Sequence, residues 1–221
     1  MPKKPHILVI DPAVRNKELD CLKHLSTLTD LPVSYHLPAM EGMDSLKKED
    51  GGIQGIVIFG SASSVNDRLP WQGPFEEWLL PILEKGVPTF GCCYGHQMLA
   101  HMFGGTVGYR TKEKQKLTGF RTLELYENPL WGKSQAGEMY VTHNEIVTKV
   151  PDSFRVTAKS KDVQVDGLAH KTLPIWSFQP HPEATRTFIK DDGQFPPTDE
   201  KRFQFGYSIL KNFLTFSKKN K

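Results

Sequence analysis

The apolar residues in the first half of the chain fall into short continuous runs. Residues 6–11 and 55–60 are apolar and rich in β-branched side chains, with little polar alternation. Runs of this kind are typical of parallel strands that are covered on both faces. Shorter runs at residues 32–36 and 87–90 predict two more strands.

Helical spacing of apolar residues separates these strands. It predicts helices over residues 16–29, 75–85 and 96–103, the last two of which are followed by glycine. In the first of these segments, one stripe is formed by Leu19, Leu22, Leu25 and Leu28. Because strands alternate with helices, we expect an α/β fold with a doubly wound, mostly parallel, flavodoxin-like sheet flanked by helices.

The pattern changes after Gly105, where short apolar runs are separated by turns and not by long helices. The predicted strands there are residues 122–126, 139–142, 154–158, 163–169 and 175–179. They predict that the parallel sheet is extended by a further, partly antiparallel group of strands. A last helix over about residues 201–216 is rich in apolar residues, and we expect its Phe213 and Leu214 to pack on the domain. With no repeat or linker, residues 1–221 are interpreted as a single domain.

The composition narrows the possible partners and compartments. A formal charge of +3 is too small to indicate nucleic-acid binding. Three cysteines are too few for the disulfide framework of a small secreted protein. The sequence shows neither an apolar signal region at its start nor a stretch of about 20 apolar residues. We therefore expect a cytoplasmic protein without a membrane partner.

The segment Gly91-Cys92-Cys93-Tyr94-Gly95 lies between a predicted strand and a predicted helix. A G-x-C-x-G pentapeptide in this position is typical of a nucleophile elbow, which exposes the central side chain above the sheet edge. The dipole of the following helix favours the thiolate of Cys93. Cys92 points the other way and is interpreted as a buried small apolar residue.

A cysteine nucleophile requires a base, and the base benefits from an orienting carboxylate. Among eight histidines, His181 is distinguished by its position after a predicted strand and by the sequence Pro180-His181-Pro182-Glu183. The carboxyl ends of parallel strands meet at one edge of a sheet, which is where Cys93 is expected. On its own, His-Pro-Glu is also compatible with a surface histidine.

Taken together, the Cys93 and His181 segments resemble the class I, triad-type glutamine amidotransferases, most of all the GMP synthetase-like branch. The resemblance spans roughly residues 6–185. It implies that Cys93 attacks the γ-carbonyl of glutamine to form a thioester, that His181 moves protons, and that Glu183 orients His181. It also implies an oxyanion hole from backbone N–H groups at Gly60 or Ser61 and at Tyr94.

Two further residues take their roles from the resemblance. Gln97 is expected to contact the amino-acid end of the substrate, or alternatively to cap or pack the helix. His143 lies in a segment similar to the Ser-His-x-Asp pattern of that branch, which implies that it lines the pocket or senses the state of the nucleotide-synthesising partner; a structural or surface histidine is the alternative. The oxyanion loop departs from the family's Gly-Gly-Pro: here it reads Gly60-Ser61-Ala62, which predicts restricted rotation at Ser61 and a less rigid loop.

Three functions stay open at this point. The first is glutamine hydrolysis that supplies ammonia to a partner synthetase. The second is a γ-glutamyl hydrolase or peptidase with the same triad, and the third is a non-catalytic binding module. The sequence contains no phosphate-binding loop, so an ATP-driven step would need another polypeptide. The two cysteines are adjacent to each other and precede the His181-Pro182-Glu183 sequence, which is not the spacing of a zinc site. We therefore expect neither a metal nor another cofactor.

Overall fold

The secondary structure follows the predicted alternation of strands and helices. A computed structural model of the protein describes residues 4–49 and 51–219. The strands are β1 (His6–Ile10), β2 (Val33–His36), β3 (Ile53–Ile58), β4 (Thr89–Cys92), β5 (Thr106–Tyr109), β6 (Leu117–Leu125), β7 (Gln135–His143), β8 (Glu145–Lys149), β9 (Phe154–Lys159), β10 (Gly167–His170) and β11 (Ile175–Phe178). The helices are α1 (Leu19–Thr27), α2 (Pro38–Glu41), α3 (Asp44–Lys47), α4 (Gln72–Glu84), α5 (Tyr94–Met102), α6 (Arg186–Asp191) and α7 (Lys201–Lys219).

Nine of these strands form one large mixed sheet, and β5 pairs with β8 in a separate antiparallel two-stranded sheet. Within the described residues the order of the nine strands is β2-β1-β3-β4-β11-β10-β9-β6-β7. The first five are parallel neighbours, and the pairings from β11 to β7 are antiparallel. The order of the parallel part is that of flavodoxin-like folds. The predicted α/β class, including its partly antiparallel extension, is confirmed.

The apolar strands divide their side chains between two layers of core. On β1, Ile7 and Val9 belong to the layer beneath α1 and α7, whereas Leu8 and Ile10 belong to the layer beneath α4 and α5. All four are fully buried. Successive side chains of a strand point to opposite faces, so a strand covered on both faces must be apolar throughout.

Two predicted elements are shorter in the structure because polar groups hold the chain in loops. Residues 16–18 precede α1, where the Glu18 N–H donates to the Asp11 carboxylate, and Leu19 at the helix start is 55% exposed. Leu19 therefore does not belong to the buried leucine stripe of α1. The predicted strand over residues 163–169 is a strand only from Gly167, because the Ser160 N–H bonds to the Val163 carbonyl and closes a turn.

The last helix packs on the sheet as predicted. Phe213 of α7 is fully buried, with its ring centroid 5.2 Å from that of Phe90 and 6.4 Å from that of Trp176. Leu214 is 1% exposed. None of the helices in residues 4–49 and 51–219 combines the length and apolar character that crossing a membrane would require.

Truncating Phe213 tests this packing. We expect Phe213→Ala to lower the free energy of unfolding by roughly 3–5 kcal/mol, because it removes a buried ring and leaves a cavity between α7 and the sheet. Phe195→Ala is the matched control, since that ring is 99% exposed. Urea denaturation of both variants measures the difference, and equal losses would contradict the assigned packing.

Candidate active site

Cys93 occupies a sharp turn between β4 and α5. Its backbone has φ 46° and ψ −99°, a conformation that residues with a side chain rarely adopt. A Cβ at Gly91 would lie 2.6 Å from the carbonyl carbon of Gly95, and a Cβ at Gly95 would lie 2.6 Å from the Ile58 carbonyl oxygen. Both glycines are therefore required for the close approach of strand and helix that produces the elbow.

His181 and Glu183 form a buried pair beside the Cys93 side chain. The Nδ1 atom of His181 lies 2.9 Å from Oε1 of Glu183, which leaves Nε2 as the ring nitrogen available to Cys93. All three residues are at most 5% exposed. Burial alone lowers the pKa of His181, but the negative charges of Cys93 and Glu183 outweigh it and raise that pKa well above its ordinary value.

Phe188 covers the His181 ring from α6, with the two ring centroids 4.7 Å apart. The backbone N–H of His181 also donates to the carbonyl of Tyr140 on β7, at 2.8 Å. The imidazole is thus fixed from three sides, by a carboxylate, by an aromatic ring and through its own backbone. Such fixation is what a proton-transferring histidine requires.

The loop after β3 brings Gly60 against the same pair. A Cβ at Gly60 would lie 2.6 Å from Cε1 of His181 and 3.5 Å from Cβ of Cys93. Ser61 ties this loop down, because its Oγ donates to the Pro12 carbonyl at 2.7 Å and accepts from the Ser63 N–H at 3.1 Å. These two hydrogen bonds restrict the loop at Ser61, the position where the family motif has its second glycine.

A buried amide joins this loop to the elbow helix. Gln72 is fully buried, and its Nε2 donates to the Ser64 carbonyl at 2.8 Å and to the Tyr94 hydroxyl at 2.9 Å. Its Oε1 accepts from the Leu69 N–H. The N–H of Tyr94 is at the first position of α5 and has no intrahelical acceptor. Gln72 therefore links the loop after β3 to the side chain of Tyr94, the first residue of α5.

The other residues singled out in the sequence also reach this site. Gln97 Nε2 donates to the Glu145 carbonyl at 2.9 Å and to Oε1 of Gln179 at 3.2 Å, so a ligand contact would use its Oε1. His143 Nδ1 lies 3.1 Å from the Glu145 carbonyl. Burial first, and then the charges of Arg121 and His181, lower the pKa of His143 to about 3, which keeps its ring neutral at physiological pH.

An open cavity of about 500 Å³ covers these groups. Cys93, His181, Gly60 and Ser61 lie in its lining with Gln97 and His143. Tyr94 and Glu183 do not line the cavity: the Tyr94 side chain is buried in the core, with only its backbone in the elbow, and Glu183 is buried against His181. A cysteine thiol and an oriented imidazole in one cavity, next to the start of a helix, are an arrangement suited to acyl transfer.

Sequence reasoning missed three contributors to the site. Gln179 is fully buried, and its Nε2 donates to the Cys93 sulfur at 3.7 Å. Asp11 anchors the loop after β1, and Glu18 on that loop lines the cavity. Gln179 directly precedes the Pro180-His181 motif, so its position could have indicated a role, whereas the other two carry no local signal.

The sequence of this chain matches a known protein family. The model of the family described as glutamine amidotransferase class-I matches residues 16–192. A glutamine-hydrolyzing GMP synthase subunit from Pyrococcus furiosus is 33% identical over 161 residues, which are 72% of this chain and 73% of that protein. The GMP synthase of Thermosipho melanesiensis is 32% identical over 161 residues, and there the match spans only 27% of the relative's length.

Solved structures agree on the fold. A glutamine amidotransferase from Thermotoga maritima superposes with a TM-score of 0.72 at 18% sequence identity, over 97% of this chain and 99% of that chain. At this identity the likeness supports the architecture alone. Since the family model covers most of the chain, the conclusion rests on it: the chain belongs to the class I glutamine amidotransferases and is related to the GMP synthases.

Proposed function

We propose that this chain hydrolyses the side-chain amide of glutamine through a γ-glutamyl thioester on Cys93, with His181 as acid and base. The observation that carries the proposal is the strained elbow that holds Cys93 beside the buried His181–Glu183 pair on the floor of a cavity. Packing alone does not require that trio. A non-catalytic binding module has no use for it, and family membership supports the same reaction.

The proposed reaction has two halves. The Cys93 thiolate attacks the amide carbon, and the developing oxyanion accepts hydrogen bonds from the Tyr94 N–H and an N–H at Gly60 or Ser61. His181 gives a proton to the leaving nitrogen as the carbon–nitrogen bond breaks, and ammonia departs. A water then attacks the thioester while His181 takes its proton, and glutamate and the free thiol are released.

We further propose that residues 1–221 act as one domain that supplies ammonia to a partner synthetase. The name of the Pyrococcus relative describes one subunit of a synthase, and the sequence of this chain contains no phosphate-binding loop of its own. Glutamine would enter the cavity with its amino-acid end near Gln97 and His143.

A γ-glutamyl compound is the second candidate substrate. The acyl half of the reaction is identical, and only the group that leaves from the thioester-forming carbon differs. The cavity favours this candidate, because 500 Å³ falls within the roughly 300–1,000 Å³ typical of sites for drug-sized ligands, and glutamine is much smaller.

Replacing the nucleophile tests the proposal directly. We expect Cys93→Ser to abolish ammonia release from glutamine and labelling by a glutamine-like electrophile, because a serine hydroxyl is not ionised by this imidazole. Cys92→Ala is the matched control, since Cys92 is fully buried outside the cavity lining. Undiminished ammonia release by Cys93→Ser would exclude the thioester mechanism.

The charge on Glu183 should set the alkaline limb of the pH profile. The pKa of His181 is raised by Cys93 and Glu183, so the imidazolium persists to higher pH than in an isolated histidine. Glu183→Gln removes one anion and lowers that pKa, so the alkaline fall of kcat/KM should move to lower pH. Glu138→Gln, at the partly exposed pair with Arg202, is the control and should leave the profile in place. An unmoved alkaline limb in Glu183→Gln would argue against its role.

The Gln72 bridge should affect rate more than affinity. We expect Gln72→Leu to lower kcat about 10- to 100-fold with little change in KM, because misplaced N–H donors weaken binding of the transition state only. Tyr94→Phe removes one of the three bonds and should lower kcat less. Steady-state kinetics of both variants, with circular dichroism to verify folding, gives the comparison. A rise in KM at constant kcat would instead indicate a role in ground-state binding.

A further inference from the structure

The active-site cavity has two walls of different origin. One wall holds Gln97 and residues 142–145 at the turn between β7 and β8, where the amino-acid end of the substrate is proposed to bind. The other consists of residues 13–16 and Glu18, in the loop after β1. If the acyl part of a substrate occupies the first wall and its carbonyl carbon lies at Cys93, the leaving group extends toward the second.

The second wall is held in a fixed conformation. Asp11, at the end of β1, is fully buried and accepts from the N–H groups of Ala13 at 3.0 Å and Glu18 at 2.9 Å, as well as from the Tyr35 hydroxyl. Ser61 Oγ donates to the Pro12 carbonyl at 2.7 Å. The loop is thus pinned at both ends, and it is joined directly to the proposed oxyanion loop. A pre-formed wall of this kind costs little conformational entropy when a ligand binds.

The second wall includes a positively charged side chain, Arg15, that is available to a ligand. Arg15 is the one arginine and Lys116 the one lysine among the described residues that line the cavity, and Lys116 is bound to Asp192, with Nζ 2.6 Å from Oδ1. Arg15 is exposed, and within residues 4–49 and 51–219 its guanidinium has neither an ion pair nor a hydrogen bond. Guanidinium groups bind carboxylates through two parallel N–H bonds, so a free one in a cavity wall favours a carboxylate ligand.

Of the five acidic residues that line the cavity, Glu145 lies on the first wall, and the other four do not neutralise Arg15. Asp192 is already ion-paired, and Asp67 accepts from the Ser64 N–H. Asp191 is exposed at the cavity edge, where salt screens it. Burial and then the charge of Asp11 raise the pKa of Glu18 to about 7, so this carboxyl is only partly ionised at neutral pH. Arg15 is therefore opposed only weakly on its own wall.

We propose that the loop of residues 13–18 is a leaving-group subsite in which Arg15 binds a carboxylate, so that the chain cleaves γ-glutamyl peptides as well as glutamine. The inference rests on the proposed function of Cys93. Cys93 forms the thioester as the γ-glutamyl carbon–nitrogen bond breaks, and the amino group of the departing amino acid or peptide takes its proton from His181. Water then releases glutamate, as with glutamine.

Two substrates that differ in one group test the subsite. γ-Glutamylglycine carries a carboxylate on its leaving group, and γ-glutamylglycinamide replaces it by a neutral amide. We expect kcat/KM for glutamate release to favour the carboxylate about 10-fold or more, the value of one charge-assisted hydrogen-bonded contact. Arg15→Gln should bring the ratio of the two kcat/KM values close to one, and Arg15→Lys should restore part of it.

The matched control is Lys17→Gln, which removes the same charge two residues away. Lys17 is outside the cavity lining and is paired with Glu41, with Nζ 2.7 Å from Oε1. This variant should keep the wild-type ratio, which excludes a general effect of net charge on the loop.

The possible results separate this inference from the proposed function. An equal loss of kcat/KM on both dipeptides and on glutamine in Arg15→Gln would show that Arg15 binds the α-carboxylate common to all three, which overturns the subsite. Failure to cleave either dipeptide, while glutamine is hydrolysed or Cys93 is labelled, also overturns the subsite but leaves the proposed function standing. Absence of both hydrolysis and labelling would remove the proposed function, and this inference with it.

Discussion

The close approach of β4, α5 and β3 around Cys93 is the constraint on which the site depends. A non-glycine residue with positive φ costs on the order of 1–3 kcal/mol, and it persists only where the surroundings dictate it. Here Gly91 lies against Gly95, and Gly95 against the Ile58 carbonyl, so neither position has room for a side chain. The parallel ladder of β3, β4 and β11 then holds the turn from both sides. The strain at Cys93 is thereby supported by β4 and β11, which are buried throughout.

The same ladder brings the base to the nucleophile. β11 pairs with β4 in parallel, so the segment that follows β11 emerges at the sheet edge where Cys93 lies. Burying His181 and Glu183 is unfavourable for either charge alone, but each partly compensates the other at 2.9 Å. The negative charges of Cys93 and then Glu183 raise the pKa of His181, which favours its protonated form. Stability and proposed chemistry therefore draw on one set of contacts.

The loops that follow β1 and β3 complete the cavity, although they are not part of the strand pairing that supports the elbow. They are fixed by side chains that have no part in the proposed reaction: Asp11 for the first loop, and Ser61 and Gln72 for the second. A serine in place of the family's second glycine thus serves as a tether between the two loops. Variation in the loop after β1 can change which leaving group is accepted while the elbow and the His181–Glu183 pair stay the same, since this loop is anchored by Asp11 and not by the elbow.

The sequence by itself determined the fold class, the elbow and its partners. Continuous apolar runs such as residues 6–11 and 55–60 are readable because strands buried on both faces have no polar alternation. The elbow could be predicted because the two glycines that it requires lie within five residues of the chain. Family membership followed from the order of the Cys93 and His181 segments, and the family model confirmed it.

Tertiary structure alone decided what surrounds those residues. Gln179 reaches Cys93, Gln72 reaches Tyr94, and the Asp11-anchored loop forms a cavity wall, yet none of these contacts has a signature in local spacing. The ends of α1 and β10 likewise depend on polar contacts that interrupt an apolar pattern. The physical reason is that periodicity reports which face of an element is buried, whereas hydrogen bonds between distant loops depend on where the sheet brings their ends together.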